Sequence, residues 1–209
     1  MHMPISENIH SISHTLLDRC SKESLHRSKG GVFWLFGLSG SGKSTLAIAL
    51  EKTLFEQNLN CIVIDGDNLR EGLNRDLGFT DEDRTENVRR ASELAKILVR
   101  NGLVVVVSMI TPFHDLREKA RSIIGKSDFH EVYVKASYST CRTRDVKGLY
   151  GKADSGKIQS FTGKSSSFEE PAKPWMLIDT EKQSISESII CLKKAVFGKI
   201  SLLDSDSVS

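Results

Sequence analysis

Three stretches of the chain combine residue types and spacings suited to chemistry. The first is FGLSGSGKST, Phe36 to Thr45, in which Gly37, Gly42, Lys43 and Ser44 satisfy G-x-x-x-x-G-K-[ST]. Glycines at this spacing let backbone N–H groups curl around a polyphosphate at the positive end of the following helix. Gly37, Ser39, Gly40, Ser41, Gly42, Lys43, Ser44 and Thr45 are therefore the candidate cradle for ATP. In such a cradle Lys43 neutralises the β- and γ-phosphates, and the Ser44 hydroxyl takes one place on Mg2+. The second stretch, DGDNLREGL, begins at Asp65. A carboxylate there faces the cradle and can hold a magnesium-bound water or take a proton from an attacking hydroxyl. Asp-Gly is also a good turn dipeptide, so Asp65 and Asp67 have a purely local reading beside the chemical one. The third stretch, SMIT from Ser108, carries no acid. Motor ATPases usually place one at such a point to hold magnesium and position water, so water is not the expected acceptor.

The acceptor side is read from a helix expected to start near Thr80–Asp81 and to stop at Gly102. Its apolar stripe is Val88, Ala91, Leu94/Ala95 and Leu98. Traced backwards by three and four residues, that stripe arrives at Asn87 and Arg84, polar groups on the inward side. With Arg70 they make two guanidiniums and an amide, a set suited to an anionic acceptor. Phe79 and Phe161 join no periodic stripe. They are candidates for stacking a base, with ordinary packing as the other reading. Two look-alikes are set aside. GKS recurs at Gly163–Ser165, but Ile158 stands where a glycine is required; GKSD at 125–128 lacks the amide of the guanine-reading N-K-x-D.

These residues need strands and helices to bring them together. VFWLF before Gly37, CIVID before Gly66, LVVVVSMI, HEVYV and WMLID read as strands, and helical patterns alternate with them. That order predicts an α/β fold: a parallel sheet of about five strands with helices on both faces and its site at the strands' carboxyl ends. Residues 1–29 are polar and read as a solvated arm, and His10 and His14 lack a third ligand to make a metal site. Residues 30–199 form the domain, about 147–173 a lid, and 200–209 a disordered tail.

Composition narrows the partners. The chain has 209 residues and a formal net charge of +2, too small to argue for nucleic acid or an anionic membrane. Its longest apolar run is far too short to span a bilayer, and the N-terminus has no apolar signal region. Cys20, Cys61, Cys141 and Cys191 lie far apart with no CxxC spacing, which favours a reducing, cytoplasmic setting.

Taken together, GLSGSGKSTLA, DGDNLREGLNRDLGF, DEDRTENVRR, RDVKGLY and FTG resemble the adenylyl-sulfate kinase family, from about Asn8 to Phe197. The resemblance implies a P-loop kinase fold, magnesium dependence and commonly a homodimer. It implies transfer of the ATP γ-phosphate to the 3′-hydroxyl of adenosine 5′-phosphosulfate (APS), giving PAPS for sulfate assimilation. It also implies acceptor contacts from Asp67, Asn68, Arg70, Phe79, Arg84, Asn87, Ile110, Thr111, Lys147 and Phe161. Asp65 would serve magnesium or the acceptor hydroxyl, and Arg144 would lie near the ATP base. Phe79 and Phe161 would hold the acceptor adenine between them. The chain departs from the family where Thr111-Pro112-Phe113-His114 replaces Ser-Pro-Tyr and a basic residue. Lys164-Ser165-Ser166-Ser167-Phe168 replaces Ile-Asp-Asp-Pro-Tyr, and Arg142 replaces an acid. Two other readings share these residues: a P-loop kinase for a different nucleotide derivative, and a nucleotide-binding module without catalysis. The second would be marked by loss of Lys43, Ser44 or the Asp65–Asp67 acids, all of which are present.

Overall fold

The structure, a computed structural model, describes residues 9–156, 162 and 167–202. Along the chain run α1 (Arg19–His26), β1 (Gly31–Phe36), α2 (Lys43–Glu56), β2 (Cys61–Asp65), α3 (Gly66–Glu71), α4 (Asp81–Arg100) and β3 (Val104–Ser108). They are followed by α5 (His114–Ile124), β4 (Phe129–Lys135), α6 (Tyr138–Arg144), α7 (Leu149–Asp154), β5 (Met176–Asp179) and α8 (Ile185–Ile200). The five strands pair in parallel, as the alternating pattern predicts, in the order β2-β3-β1-β4-β5.

The strands that read as continuous apolar runs, β1 and β3, are wholly buried and lie inside the sheet. Side chains alternate across it, so each strand feeds two cores. Trp34 and Phe36 pack with Val88, Ala91 and Ala95 of α4 and Leu116 and Ala120 of α5. Phe33 and Leu35 pack on the other side with Leu46 and Leu50 of α2 and Leu192 and Val196 of α8. In register, Ser108 faces both Leu35 and Asp65, so β1, β2 and β3 end level. The chemical stretches therefore emerge side by side at the carboxyl edge.

Three local expectations are corrected. Residues 1–29 are not wholly a solvated arm, because α1 is fastened to the domain by polar contacts. Asp18 caps it by accepting from Ser21 N–H (2.8 Å). Arg19 reaches Asp128 (2.7 Å) and the Gly30 carbonyl (2.9 Å), and Glu23 accepts from Gly30 N–H (2.8 Å). Those ties leave no apolar periodicity for a sequence reading to detect. At the other end α8 runs through Ile200, which is buried, so the core passes beyond residue 199. The segment expected to be a long irregular lid contains α7, and residues 157–161 and 163–166 of it lie outside the described residues.

Candidate active site

The cradle follows β1. Gly37 has φ +152°, and a Cβ there would come within 2.3 Å of the Val134 carbonyl of β4, so the turn leaves room for glycine alone. Gly42 is the N-cap of α2 and offers no side chain, leaving the first-turn N–H groups available to an anion. Lys43 lies under the loop and donates to the carbonyls of Leu38 (2.7 Å) and Gly37 (3.0 Å). Burial lowers its pKa to about 8, because an ammonium without its hydration shell is disfavoured. A polyphosphate in the cradle would add to the opposite charge that Asp65 and Asp67 already bring to it.

The Ser44 hydroxyl donates to Asp65 Oδ2 (3.1 Å) and lies 3.2 Å from Ser108 Oγ. This cluster of oxygens at the ends of β2 and β3 is the donor set that magnesium prefers, so Ser44 and Asp65 fit the ion expected of them. Asp65 also caps α3, accepting from Asp67 N–H through Oδ1 (2.9 Å). The local turn role and the chemical role thus use different oxygens of one carboxylate. Lys147, entering from beyond α6, pairs with the Asp67 carboxylate. Arg144 donates to the Thr180 carbonyl (2.9 Å) and hydroxyl (3.0 Å), and Thr180 in turn reaches the Ser41 carbonyl (3.0 Å). That places Arg144 against the cradle.

The acceptor side is assembled from scattered pieces. Arg70 donates to the carbonyls of Leu77 (3.0 Å) and Gly78, and its guanidinium lies 4.6 Å from the Phe79 ring centroid. Arg84 donates to the Phe79 carbonyl (3.0 Å) and the Thr162 hydroxyl (3.0 Å). Both arginines are held below their ordinary pKa first by desolvation, and Arg70 also by the charge of Arg84. Two crowded, partly dehydrated cations make an anion between them favourable. Asn87, traced from the stripe of α4, is buried and accepts from Asn74 Nδ2 (2.6 Å). Phe79 is 60% exposed, which suits a stacking surface better than a core residue.

One cavity of about 710 Å³ joins the two sides. Its lining runs from Ser39, Gly40, Ser41, Gly42, Lys43, Ser44 and Thr45 through Asp65 and Asp67 to Arg70, Phe79, Arg84, Asn87, Ile110 and Thr111, with Arg144 and Lys147 above. Gly37 supports the loop from below, and Asn68, half-way along α3, is exposed and outside the lining. Phe161 lies outside the described residues. Thr111 lines the wall but is 2% exposed, and its hydroxyl accepts from Trp34 Nε1 (2.9 Å).

Several participants escape a reading by motif. Tyr150 of α7 donates to the Ser39 carbonyl (2.8 Å), so the start of the lid segment rests on the cradle. Thr180 follows the last strand, a position that the strand-end rule could have flagged. Ser41 Oγ, Gln183 Oε1 and Ser188 Oγ are buried without a hydrogen-bond partner among the described residues, and all three residues line the cavity. Unused hydrogen-bonding capacity at a buried wall is what a ligand with its own donors and acceptors would satisfy.

A family model described as adenylylsulphate kinase matches residues 29–179. The adenylyl-sulfate kinase of Phocaeicola vulgatus is 48% identical over 190 residues, covering 91% of this chain and 93% of its own. That of Pseudomonas aeruginosa is 52% identical over 164 residues, 78% of this chain and 84% of the relative. A solved APS kinase of Mycobacterium tuberculosis, in complex with AMPPNP and APS, aligns at a TM-score of 0.77 and 40% identity. The alignment covers 80% of this chain and 98% of that one.

Proposed function

We propose that this chain, which belongs to the adenylylsulphate kinase family, transfers the γ-phosphoryl group of ATP to the 3′-hydroxyl of APS. The observation that carries the reading is the continuity of the cavity, whose lining includes the phosphate cradle, two carboxylates and an arginine pair. A transferring phosphoryl group needs little covalent help from the protein; positioning and charge do the work.

In this reading Gly37–Thr45 holds the ATP phosphates, Lys43 neutralises the β- and γ-oxygens, and Arg144 flanks the base. Ser44 and Asp65 would hold magnesium, whose chemistry there is to neutralise charge on the phosphate oxygens. Arg70, Arg84 and Asn87 grip the phosphosulfate of the acceptor, while Phe79 offers a face to its adenine. The 3′-oxygen forms a bond to the γ-phosphorus as the bond to the bridging oxygen breaks. The hydroxyl proton passes to a carboxylate of the Asp65–Asp67 pair, and ADP and PAPS leave. Lys147 holds its charge, since its contact with Asp67 raises its pKa. It thereby ties the segment beyond α6 to the reacting end.

The same reading takes the enzyme to be a homodimer of the cytoplasm. Four free cysteines support the location, and among the described residues no helix is long and apolar enough to cross a membrane. A coupled assay with ATP tests the activity by comparing APS with AMP and other nucleotides as acceptors. APS is expected to be preferred by orders of magnitude in kcat/KM. Equal use of AMP, or no turnover with APS, would overturn the assignment.

A further inference from the structure

Among the described residues, Arg117, on the first turns of α5, is the most deeply buried cation outside the cradle, with its side chain 1% exposed. Its Nε lies 2.9 Å from Glu131 Oε1 of β4, an ion contact without hydrogen-bond alignment. The other carboxylate oxygen of Glu131 is taken by Arg121 Nη2 (2.8 Å). Arg117 therefore has its charge balanced on one side, and its two terminal nitrogens point elsewhere. Nη1 donates to the carbonyls of Thr111 and Pro112, 3.1 Å each, and Nη2 donates to the Glu169 carbonyl at 3.0 Å. Its flat face lies 4.7 Å from the ring centroid of Phe36, the residue before the cradle glycine.

The turn that Arg117 grips is strained. Thr111 has φ +42°, a left-handed conformation that a β-branched residue avoids. Such a conformation persists only where its surroundings impose it. Trp34 holds the hydroxyl of Thr111, and Arg117 holds its carbonyl. Glu169 lies near the C-terminal end of the segment 147–173. It is bound to the same turn twice more, through its N–H to the Pro112 carbonyl (2.9 Å) and its carboxylate to His114 N–H (2.6 Å).

We infer that Arg117 is a positioning residue for the acceptor: its forked guanidinium locks the Thr111–Pro112 turn to the returning end of the lid segment at Glu169. The acceptor wall and that end of the segment then form one rigid body, while Lys147 and Tyr150 anchor the opposite end at Asp67 and the cradle. A lysine cannot replace it, because one ammonium cannot span the Glu131 carboxylate and carbonyls on two separate segments. The inference rests on the proposed role of this wall in binding APS.

Arg117→Lys keeps the charge opposite Glu131 and loses the fork. It is expected to raise KM for APS about tenfold to a hundredfold, the range for a charged hydrogen-bond network. The dissociation constant for AMPPNP should stay within about twofold, because the cradle has its own supports. A purely structural arginine would lower Tm and leave the two nucleotides equally affected, and that result overturns the inference. Trp34→Phe removes the second hold on the same turn without touching Arg117 and should show the same selectivity in smaller measure. If Arg117→Lys does not fold, Trp34→Phe decides: a selective rise in KM for APS sustains the inference, and none overturns it. Failure of the wild-type enzyme to use APS at all would strike the proposed function instead.

Discussion

In the donor half of the cavity, ten consecutive residues from Phe36 to Thr45 supply the loop, the lysine and the magnesium-side hydroxyl. The acceptor half draws on α3, the loop to Phe79, the start of α4, the turn at Thr111 and the segment beyond α6. The donor half is held from below by β4 and β1 through main-chain geometry, as at Gly37 against the Val134 carbonyl. The acceptor half is held by side chains that reach across the fold, such as Arg84 to Thr162, Asn74 to Asn87 and Arg117 to Glu169. A phosphate chain is common to many substrates and can be bound by backbone; a particular acceptor has to be read by side chains. Damage to the first half should therefore abolish transfer altogether, and damage to the second should alter which acceptor is used.

The largest effect is expected at Lys43. Lys43→Ala should lower kcat by about a thousandfold or more, the loss typical of removing a preorganised charge from a transition state. A rate near that of the wild type would refute the donor assignment. The same variant should be more stable without nucleotide. The folded pKa of about 8 lies below the unfolded value of 10.5, so the unfolded chain binds more protons between those limits. Wild-type stability should thus rise as pH increases from 8 to 10.5. Below pH 8 the full burial penalty applies, about 3 kcal/mol. Denaturant midpoints measured across that range for both proteins check the sign: the slope should flatten in Lys43→Ala. An unchanged slope would mean the ammonium is not desolvated.

At Arg84 the two halves should separate. Arg84→Ala is expected to weaken APS binding by about tenfold to a hundredfold, as loss of a charged hydrogen bond does. AMPPNP affinity should remain within about twofold. Calorimetric titration of each ligand distinguishes the halves, and the opposite pattern would mean they have been assigned the wrong way round.

The smallest effect concerns the piece that touches both. Residues 147–156 contact the acceptor side through Lys147 and the cradle through Tyr150. A cover that excludes water during transfer should tighten when both ligands are present. Amide exchange across 147–156 is expected to slow about tenfold with ADP and APS together, and less with ADP alone. Equal protection in all states would make α7 a fixed part of the fold and remove the lid reading for this piece.

Much of the fold was open to inspection in the sequence because its signals are local. VFWLF, CIVID and LVVVVS are apolar runs that only a buried sheet accommodates, and Thr80 with Asp83 marks the start of α4 through a capping box. The inward turn of Arg84 and Asn87 was also legible, since helical periodicity extends from the apolar residues to the polar ones beyond them. The fastening of α1 was not, because Arg19, Glu23 and Asp128 are ordinary surface types until folding sets Arg19 2.7 Å from each of the two acids. The short helix α7 escaped for a similar reason. Its six residues are too few to show a period, and Asp145 organises them from outside by accepting from Tyr150 and Gly151 N–H groups.

The phosphate cradle, the parallel α/β order and the anionic character of the acceptor follow from the residues and their spacing alone. The cradle is a stretch of ten residues, the order is an alternation of strand and helix patterns along the chain, and the acceptor's charge follows from one helical stripe extended to Asn87 and Arg84, with Arg70 beside it. It took the tertiary structure to set Asp65 of β2 against Ser44, to hold Thr111 strained with its hydroxyl on Trp34, and to tie the turn at Thr111 to Glu169 through Arg117. Those contacts join segments far apart in the chain. Sequence spacing constrains a contact only while the backbone between its partners is regular, and here it passes through turns, strands and a sheet crossover.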